Sequence, residues 1–528
     1  MKIKKDNTKA LIISVYFVQG IVSITGLALF LLTRNVFSFT WLQLSFLGAL
    51  STLTWCIKPL YGFLTDQVPI MGFRRKPYLI LSSLLTFFGY CMLAMYGNGF
   101  ISIVIASIIL NVGLGFSDVI IDGFVVEKST NATVGRYQSL CWRAKSFGIL
   151  LASILSGILI ERAVFSKLLG GSKITSLLGT LFPVSFSAQI IESVNLLDIR
   201  YILLFTSLLP FIVLFLSLQM NDTHVEIKEN KKFSPQILIS ALIALFLTLL
   251  VAFWGLIPGK TTSSEAITSI SIFIIWSVWI CYYLLYLIKH KQANYTLFMA
   301  ALFLFLWRFT PSFGAPWSDY FINNLSLSKE KLGYIGSLAS LSWLIGTFIY
   351  NKFLDKLPLK KLLSWTVIIG VLLSFSQLII ASPNIANKIG NFYMIKYLAA
   401  ILLYPFYFLG YHFEAWQELM NQPGILNLEA LLSFLLEMMF ILSFLPLLKL
   451  AALVTPKGVE ATNFSVMASI MNLGLVFGSI SGGWIYTYIE GQYAIAGLSF
   501  TGLHLTIIIG ALSSLLCLPV LYKLKNIS

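Results

Sequence analysis

The run Trp55-Cys56-Ile57-Lys58-Pro59-Leu60-Tyr61-Gly62-Phe63-Leu64-Thr65-Asp66 is mostly apolar but carries a lysine in its body, and it gives way to Pro69-Ile70-Met71-Gly72-Phe73-Arg74-Arg75-Lys76-Pro77-Tyr78. An apolar helix that ends in Gly-x-x-x-Asp, then a basic cluster, then a second apolar run reads as two membrane helices joined by a short charged loop. Working outward, windows of about 20 apolar residues, the length that crosses a bilayer core, recur along nearly the whole chain. Composition agrees: 58% of the 528 residues are apolar, 11% are charged and the mean hydropathy is +0.87. That leaves too little polar surface to coat a soluble globule of this size, and no room for a soluble catalytic domain.

The windows predict helices near 10–33, 41–65, 77–96, 101–126, 137–160 and 199–219 in the first half, and near 296–314, 331–351, 361–381, 430–454, 461–487 and 498–522 in the second. Between them lies a polar run, Asn221 to Lys232, expected to be a cytoplasmic link, and an added hairpin, 236–257 and 267–289, turning at Pro258-Gly259 and closing at Lys289-His290-Lys291. The expected organisation is an amino-terminal six-helix bundle (1–220), a linker with an inserted transmembrane hairpin (221–294) and a carboxy-terminal six-helix bundle (295–528). Segment 161–198 is expected to be a horizontal helix or packed loop. Segment 393–411 is expected to be re-entrant or flat, because a full crossing there would put the lysines after Lys449 on the wrong side.

The net charge of +15 does not mark a nucleic-acid binder, because the basic residues cluster at helix ends rather than along one stripe. About 21 Lys and Arg fall on one side of the predicted bilayer, about 10 on the other and about 5 within it, so the rich side is the cytoplasm by the positive-inside rule. Arg74, Arg75, Lys76, Lys128, Arg136, Lys352, Lys356, Lys360, Lys361, Lys457, Lys523 and Lys525 belong to that side. Both termini are then expected on the cytoplasmic side of a cell (inner or plasma) membrane. The run from about Ala10 to Thr33 is too long for a signal peptide and reads as an uncleaved first helix. The five cysteines lack a CxxC pair, the four histidines are scattered, and Gly259-Lys260-Thr261 lacks the upstream glycine of a phosphate loop. No metal, cofactor or enzymatic activity is expected. The expected partners are the lipid bilayer and a small-molecule substrate, and the expected state is a monomer.

Five ordered blocks carry a resemblance: Lys58 to Tyr78, Gly115-Phe116-Ser117-Asp118-Val119-Ile120-Ile121-Asp122 through Glu127, Gln138-Ser139-Leu140-Cys141-Trp142, Phe303 to Ser312, and Thr455 to Thr462. Together they resemble the folate-biopterin transporter (BT1) family of the major facilitator superfamily. The resemblance implies an all-α polytopic membrane protein with two six-helix bundles, here with an inserted two-helix hairpin, that moves folates, biopterin or a related small molecule. The inserted hairpin, 161–198 and 393–411 depart from the compact pattern. The resemblance also gives Asp66 its role, meeting the amino-terminal end of helix 11 when the cytoplasmic side is shut. Weak kinship between the halves, Gly346 and Asp355-Lys356 beside Gly62 and Asp66, and Gly474 to Gly483 beside Gly148 to Gly157, fits the internal repeats of transporters, which place substrate near the midplane.

An ionised side chain at a helix centre costs about 2.5–3.5 kcal/mol to insert, so each needs a partner, a cavity or a function. Lys58 and Asp118 lie at similar depth, roughly 12 Å in at 1.5 Å per residue, and are candidates to pair. Asp118 and Asp122 share a helical face and form either a ligand pair or a proton-holding pair. Of Arg143 and Lys145, which point in different directions, Arg143 is favoured for its carboxylate-gripping fork. Arg308, ahead of Pro311, is the matching cation of the second half, while Glu437 and Lys449 carry less information. Lys58, Asp118, Asp122, Arg143 and Arg308 are thus the candidate substrate-binding residues, with Asp118 and Asp122 also the proton-coupling candidates. Asp66, Arg74, Arg75, Glu127 and Arg136 are the candidate gating network. Each buried pair has a plainer reading as a helix-to-helix tie, and each of Trp55, Trp142, Trp307 and Trp343, any of which offers a flat ligand a stacking face, has one as an interface anchor.

The expected function is secondary active transport of folate or biopterin-type pterins by alternating access, with a proton as the coupling ion. The runner-up is a same-family carrier of another small molecule such as S-adenosylmethionine. A receptor or scaffold that kept the fold and lost transport is the reading from another class; the retained membrane charges speak against it.

Overall fold

The computed structural model describes residues 8–39, 41–130, 133–183, 185, 190–191, 194–220, 222, 235–255, 262–290, 295–311, 321, 328–410, 412, 414–455, 460–488, 493–495 and 498–524. The long helices are α1 (Lys9–Val36), α2 (Trp41–Cys56), α3 (Lys58–Gln67), α4 (Lys76–Tyr96), α5 (Phe100–Lys128), α6 (Val134–Glu161) and α7 (Leu196–Leu218), then the hairpin α8 (Pro235–Gly255) and α9 (Thr262–Lys289). There follow α10 (Tyr295–Arg308), α11 (Glu330–Leu354), α12 (Leu359–Ile380), α13 (Pro383–Gly390), α14 (Tyr393–Leu409), α15 (Gly424–Leu453), α16 (Glu460–Tyr488) and α17 (Gly502–Lys523). Among the described residues, twelve helical spans are long and apolar enough to cross a membrane. The only strands among the described residues are two short antiparallel pairs, Ile190–Ile191 with Val194–Asn195 and Tyr493–Ile495 with Leu498–Phe500.

Where helix ends differ from the expectation, proline chemistry is the main reason. The run 41–65 is two helices broken at Ile57, because Pro59 has no N–H to offer the Trp55 carbonyl and starts a new helix instead. That carbonyl accepts from Asn472 Nδ2 at 3.1 Å and Ser469 Oγ at 3.4 Å, so the break is satisfied by side chains of α16. Similarly, α10 stops at Arg308 rather than 314, since Pro311 disfavours helix in the residue before it. Within 393–411, α14 meets α13 at 85°, a sharp break consistent with either a broken span or a re-entrant turn. Within 161–198, short helices Val164–Leu169 and Lys173–Leu181 pack Phe165, Leu169, Leu178 and Phe182 on Leu197 and Tyr201 of α7. The polar link at Asn221–Lys232 except Asp222, the Pro258-Gly259 turn, Lys291, Ser312, Lys457 and Lys525 lie outside the described residues.

By contacts the chain groups into two compact units, residues 1–134, 159–298 and 451–472 in one, and 135–158, 299–450 and 473–528 in the other. The first contains α1 to α5, α7, the hairpin and the first turns of α16. The hairpin is tied by indole donors, Trp276 Nε1 to Thr248 Oγ1 at 3.0 Å and Trp279 Nε1 to Ser240 Oγ at 3.1 Å, and Tyr283 donates to Asn463 Oδ1 at 3.2 Å. Arg200 of α7, fully buried, donates to the carbonyls of Leu93, Ala94 and Gly97 and to Asn98 Oδ1, between 2.9 and 3.2 Å. It thereby caps the carboxy-terminal end of α4, where a cation meets the negative end of the helix dipole. In the second unit, α14 packs Ala399, Leu403 and Tyr407 against Tyr334 and Leu338 of α11 and Ile154 of α6.

Candidate functional site

In the first unit the break before Lys58 sets the site. Lys58 is the first residue of α3, 5% exposed, and its Nζ lies 2.5 Å from Asp118 Oδ2 and 4.7 Å from the centre of the Trp55 ring. One turn along α5, Asp122 is also buried and accepts from the Tyr16 hydroxyl of α1. Trp55 Nε1 donates to Asn111 Oδ1 at 3.1 Å. Four elements thus converge on two buried carboxylates and one buried ammonium. Removing one member of such a pair costs about 3–5 kcal/mol, because the other charge is left desolvated and alone.

The candidate gating residues divide. Asp66, buried near the end of α3, accepts from Arg75 Nη2 at 3.0 Å on one oxygen and from the Thr462 N–H at 2.9 Å and hydroxyl at 2.8 Å on the other. Thr462 lies in the first turn of α16, where backbone N–H groups lack helical partners, so the carboxylate accepts from the start of that helix. Arg75 also donates to Thr65 Oγ1 at 2.9 Å and to Glu127. Burial alone disfavours its cation, but the carboxylates of Asp66 and Glu127 outweigh that and hold its pKa above the usual value. Arg74 enters no ion pair among the described residues, and Arg136 belongs to the other unit. Close approach makes the network possible. A Cβ on Gly62 would sit 2.7 Å from Thr462 Cα, and one on Gly123 2.6 Å from Ala461 Cβ.

The second unit has the matching arrangement. Asp355 accepts from Lys449 Nζ at 2.7 Å, and Gly135, at the start of α6, leaves no room for a side chain between itself and that carboxylate. An aspartate at the end of one helix facing the first turn of another, in both units, agrees with the internal kinship of the sequence.

The second unit also holds an aromatic cluster. On α15, Glu437, Phe440 and Phe444 share a face. Trp343 of α11 donates Nε1 to Glu437 Oε2 at 2.6 Å and stacks on Phe440, with centroids 5.3 Å apart and planes 22° apart. Phe440 in turn stacks on Phe444 at 5.5 Å, and Trp142 of α6 meets Phe444 edge-on at 4.7 Å. Arg308 closes α10 with its guanidinium 5.1 Å from the centre of Phe440, and Lys145 lies 4.8 Å from Trp142. Arg143 stacks on Phe348 at 3.8 Å, and its buried Nε has no hydrogen-bond partner.

The structure therefore brings Lys58, Asp118 and Asp122 together, and separately groups Arg308 with Glu437. Reading the sequence undervalued Glu437 and missed Tyr16, Asn111 and Arg200. Glu437 and Phe440 at a spacing of three, in a span that also has tryptophan-bearing neighbours, was the available signal. A lone tyrosine in an apolar helix gave none.

Comparison with known proteins agrees with this architecture. The BT1 family profile matches residues 19–391 and 430–528. The chain is 24% identical over 514 residues to a folate-biopterin transporter of Synechocystis sp., covering 97% of this chain and 80% of that one. It is 23% identical over 513 residues to folate transporter 1 of Plasmodium falciparum, covering 96% and 77%. Among solved structures, it is similar to the fucose:proton symporter of E. coli (TM-score 0.56, 13% identity, 98% of both chains) and to a proton:xylose symporter of the major facilitator superfamily (TM-score 0.55, 14% identity, 98% and 95%), likenesses that speak for the fold. The chain is an all-α, multi-pass membrane transporter with the major-facilitator fold, not an enzyme, and it belongs to the BT1 family.

Proposed function

We propose that the protein is a secondary active transporter of folate or biopterin-type pterins, working by alternating access with a proton as the coupling ion. The observation that carries the reading is the buried Lys58–Asp118 pair at a broken membrane helix, in a chain whose relatives are named folate-biopterin and folate transporters. A carboxylate on the substrate's glutamate tail and the Asp118 carboxylate compete for one ammonium. When substrate takes Lys58, Asp118 loses its counter-charge and binds a proton; when the proton leaves, Asp118 reclaims Lys58 and substrate is released. Charge is conserved, since an anion and a proton enter together, and by linkage each raises the other's affinity. Asp122, bonded to Tyr16, is a second proton-holding candidate.

Arg143 and Arg308 of the second unit are also proposed substrate-binding residues, because a guanidinium binds a carboxylate through two parallel hydrogen bonds. Asp66, Arg75 and Glu127 form the proposed gate at the face read as cytoplasmic; Arg74 and Arg136 are further proposed gating residues.

Uptake of labelled folate into proteoliposomes tests the reading. Accumulation driven by an imposed inward proton gradient, abolished when the gradient is collapsed, is the expected result. Uptake indifferent to the gradient removes the coupling, and uptake competed by S-adenosylmethionine but not by pterins moves the substrate class.

A further inference from the structure

The aromatic cluster of the second unit contains a carboxylate that the transport reading does not use. Glu437 sits in the body of α15, where an ionised group is costly, yet it is not closed off in an ion pair. Trp343 holds Oε2 at 2.6 Å, no other protein group bonds it among the described residues, and Oε1 is left to accept. Arg308 feels the Glu437 charge and rests on the same Phe440 ring, but the two do not come within ion-pair distance among the described residues. A helix tie would be expected to bring such a cation and anion into contact. Here they are held apart across an aromatic face, and Trp343, Glu437, Phe440 and Arg308 are all partly exposed.

We infer that Glu437, oriented by Trp343, is the residue that recognises the ring of the substrate: a flat, fused nitrogen heterocycle with two adjacent N–H donors lies along the Trp343–Phe440 surface and donates its edge to the Glu437 carboxylate. The chemistry of the cluster fits that ligand on three counts. Stacked aromatic rings offer a planar surface that holds any π-face. A carboxylate pre-positioned by one indole N–H accepts neighbouring donors and is a poor match for a ring that presents only acceptors. The surplus of cations, Arg143 and Arg308 against Glu437, leaves positive charge for an anionic tail extending from the ring. This inference rests on the proposed pterin transport and assigns one half of the ligand to one set of side chains.

The test is equilibrium binding to the purified full chain in nanodiscs, with three probes: folate, a tailless 2-amino-4-oxopteridine, and p-aminobenzoylglutamate, which has the tail without the ring. Glu437→Gln is expected to weaken folate and the tailless pteridine about 10- to 100-fold, as loss of hydrogen bonds to a charged acceptor does, and to leave the tail fragment within twofold. Arg308→Gln is expected to do the reverse, weakening folate and the tail fragment while sparing the tailless pteridine. Trp343→Phe keeps the ring surface and removes the orienting bond, so the same two ring ligands weaken by a smaller factor. Wild-type affinity of Glu437→Gln for the tailless pteridine overturns the inference, and so does an equal loss for all three probes. If Glu437→Gln fails to fold, unchanged ring binding in Trp343→Phe overturns it. Absence of folate binding by the wild-type chain refutes instead the transport reading beneath it.

Discussion

Replacing Asp66 with asparagine keeps the shape of the side chain and removes its charge, and the effect can be worked out bond by bond. The carboxylate accepts three hydrogen bonds, one from Arg75 at 3.0 Å and two from Thr462 at 2.9 and 2.8 Å. An amide has one acceptor oxygen, so asparagine can face Thr462 or Arg75 but not both. Turned toward Thr462, it loses the bond to Arg75, worth about 1.5–3 kcal/mol, and demotes the other two from charged to neutral, at about 1 kcal/mol each. Arg75 retains Glu127, which offsets part of this, so the net loss is about 2–4 kcal/mol. That shifts the equilibrium between a seated and an unseated first turn of α16 about 30- to 1,000-fold. Hydrogen exchange reports it directly, because the Thr462 N–H lies in the turn that has no helical acceptor and is protected by Asp66 alone. Amides of residues 460–465 should exchange at least 30-fold faster in Asp66→Asn, those in the middle of α15 should not change, and Thr462→Val should give a smaller effect of the same kind. Exchange in 460–465 within twofold of wild type would refute the reasoning that this carboxylate seats the helix.

Gly62→Ala puts a methyl 2.7 Å from Thr462 Cα, a backbone contact that cannot yield locally, so α3 and α16 must separate; a lower melting temperature together with faster exchange in 460–465 is the expected readout. Asn472→Ala removes the shorter of the two side-chain bonds that Asn472 and Ser469 make to the Trp55 carbonyl, a loss of about 1–3 kcal/mol visible as a lower melting temperature in nanodiscs, whereas Asn472→Asp, which offers no donor when ionised, should not rescue it. Arg200→Met strips the cap from α4 and leaves buried carbonyls unpaired, a cost of about 2–4 kcal/mol, read as thermal instability with little change in the substrate affinity of the protein that remains folded.

Much of this molecule can be read from the order of its residues because a bilayer imposes one simple constraint: backbone groups must bond within each helix, so spans appear as apolar runs of a fixed length. Pro59 and Pro311 mark breaks for an equally local reason, the missing N–H and the clash with the preceding turn. Lys58, Asp118 and Asp122 stand out by their cost in lipid, and the family resemblance, rather than any local pattern, anticipates the meeting of Asp66 with the start of α16. What stays hidden depends on which faces of distant helices meet. The Tyr16 hydroxyl on Asp122 and the Asn472 amide on the Trp55 carbonyl link residues 106 and 417 positions apart, and no local pattern specifies either register. Arg200 looks like a stray charge near a helix start until the end of α4 is placed against it. Glu437 reads as one acid in an apolar run until Trp343 and Arg308 are seen around it.

The central claim is that Asp118 gives up Lys58 and takes a proton when substrate arrives. Folate uptake in proteoliposomes, compared with and without an inward proton gradient for the wild type and for Asp118→Asn, tests it most directly. Gradient-driven accumulation is expected of the wild type and, in the variant, exchange of internal for external folate that continues without any response to the gradient. Accumulation by Asp118→Asn that follows the gradient as the wild type does would contradict it.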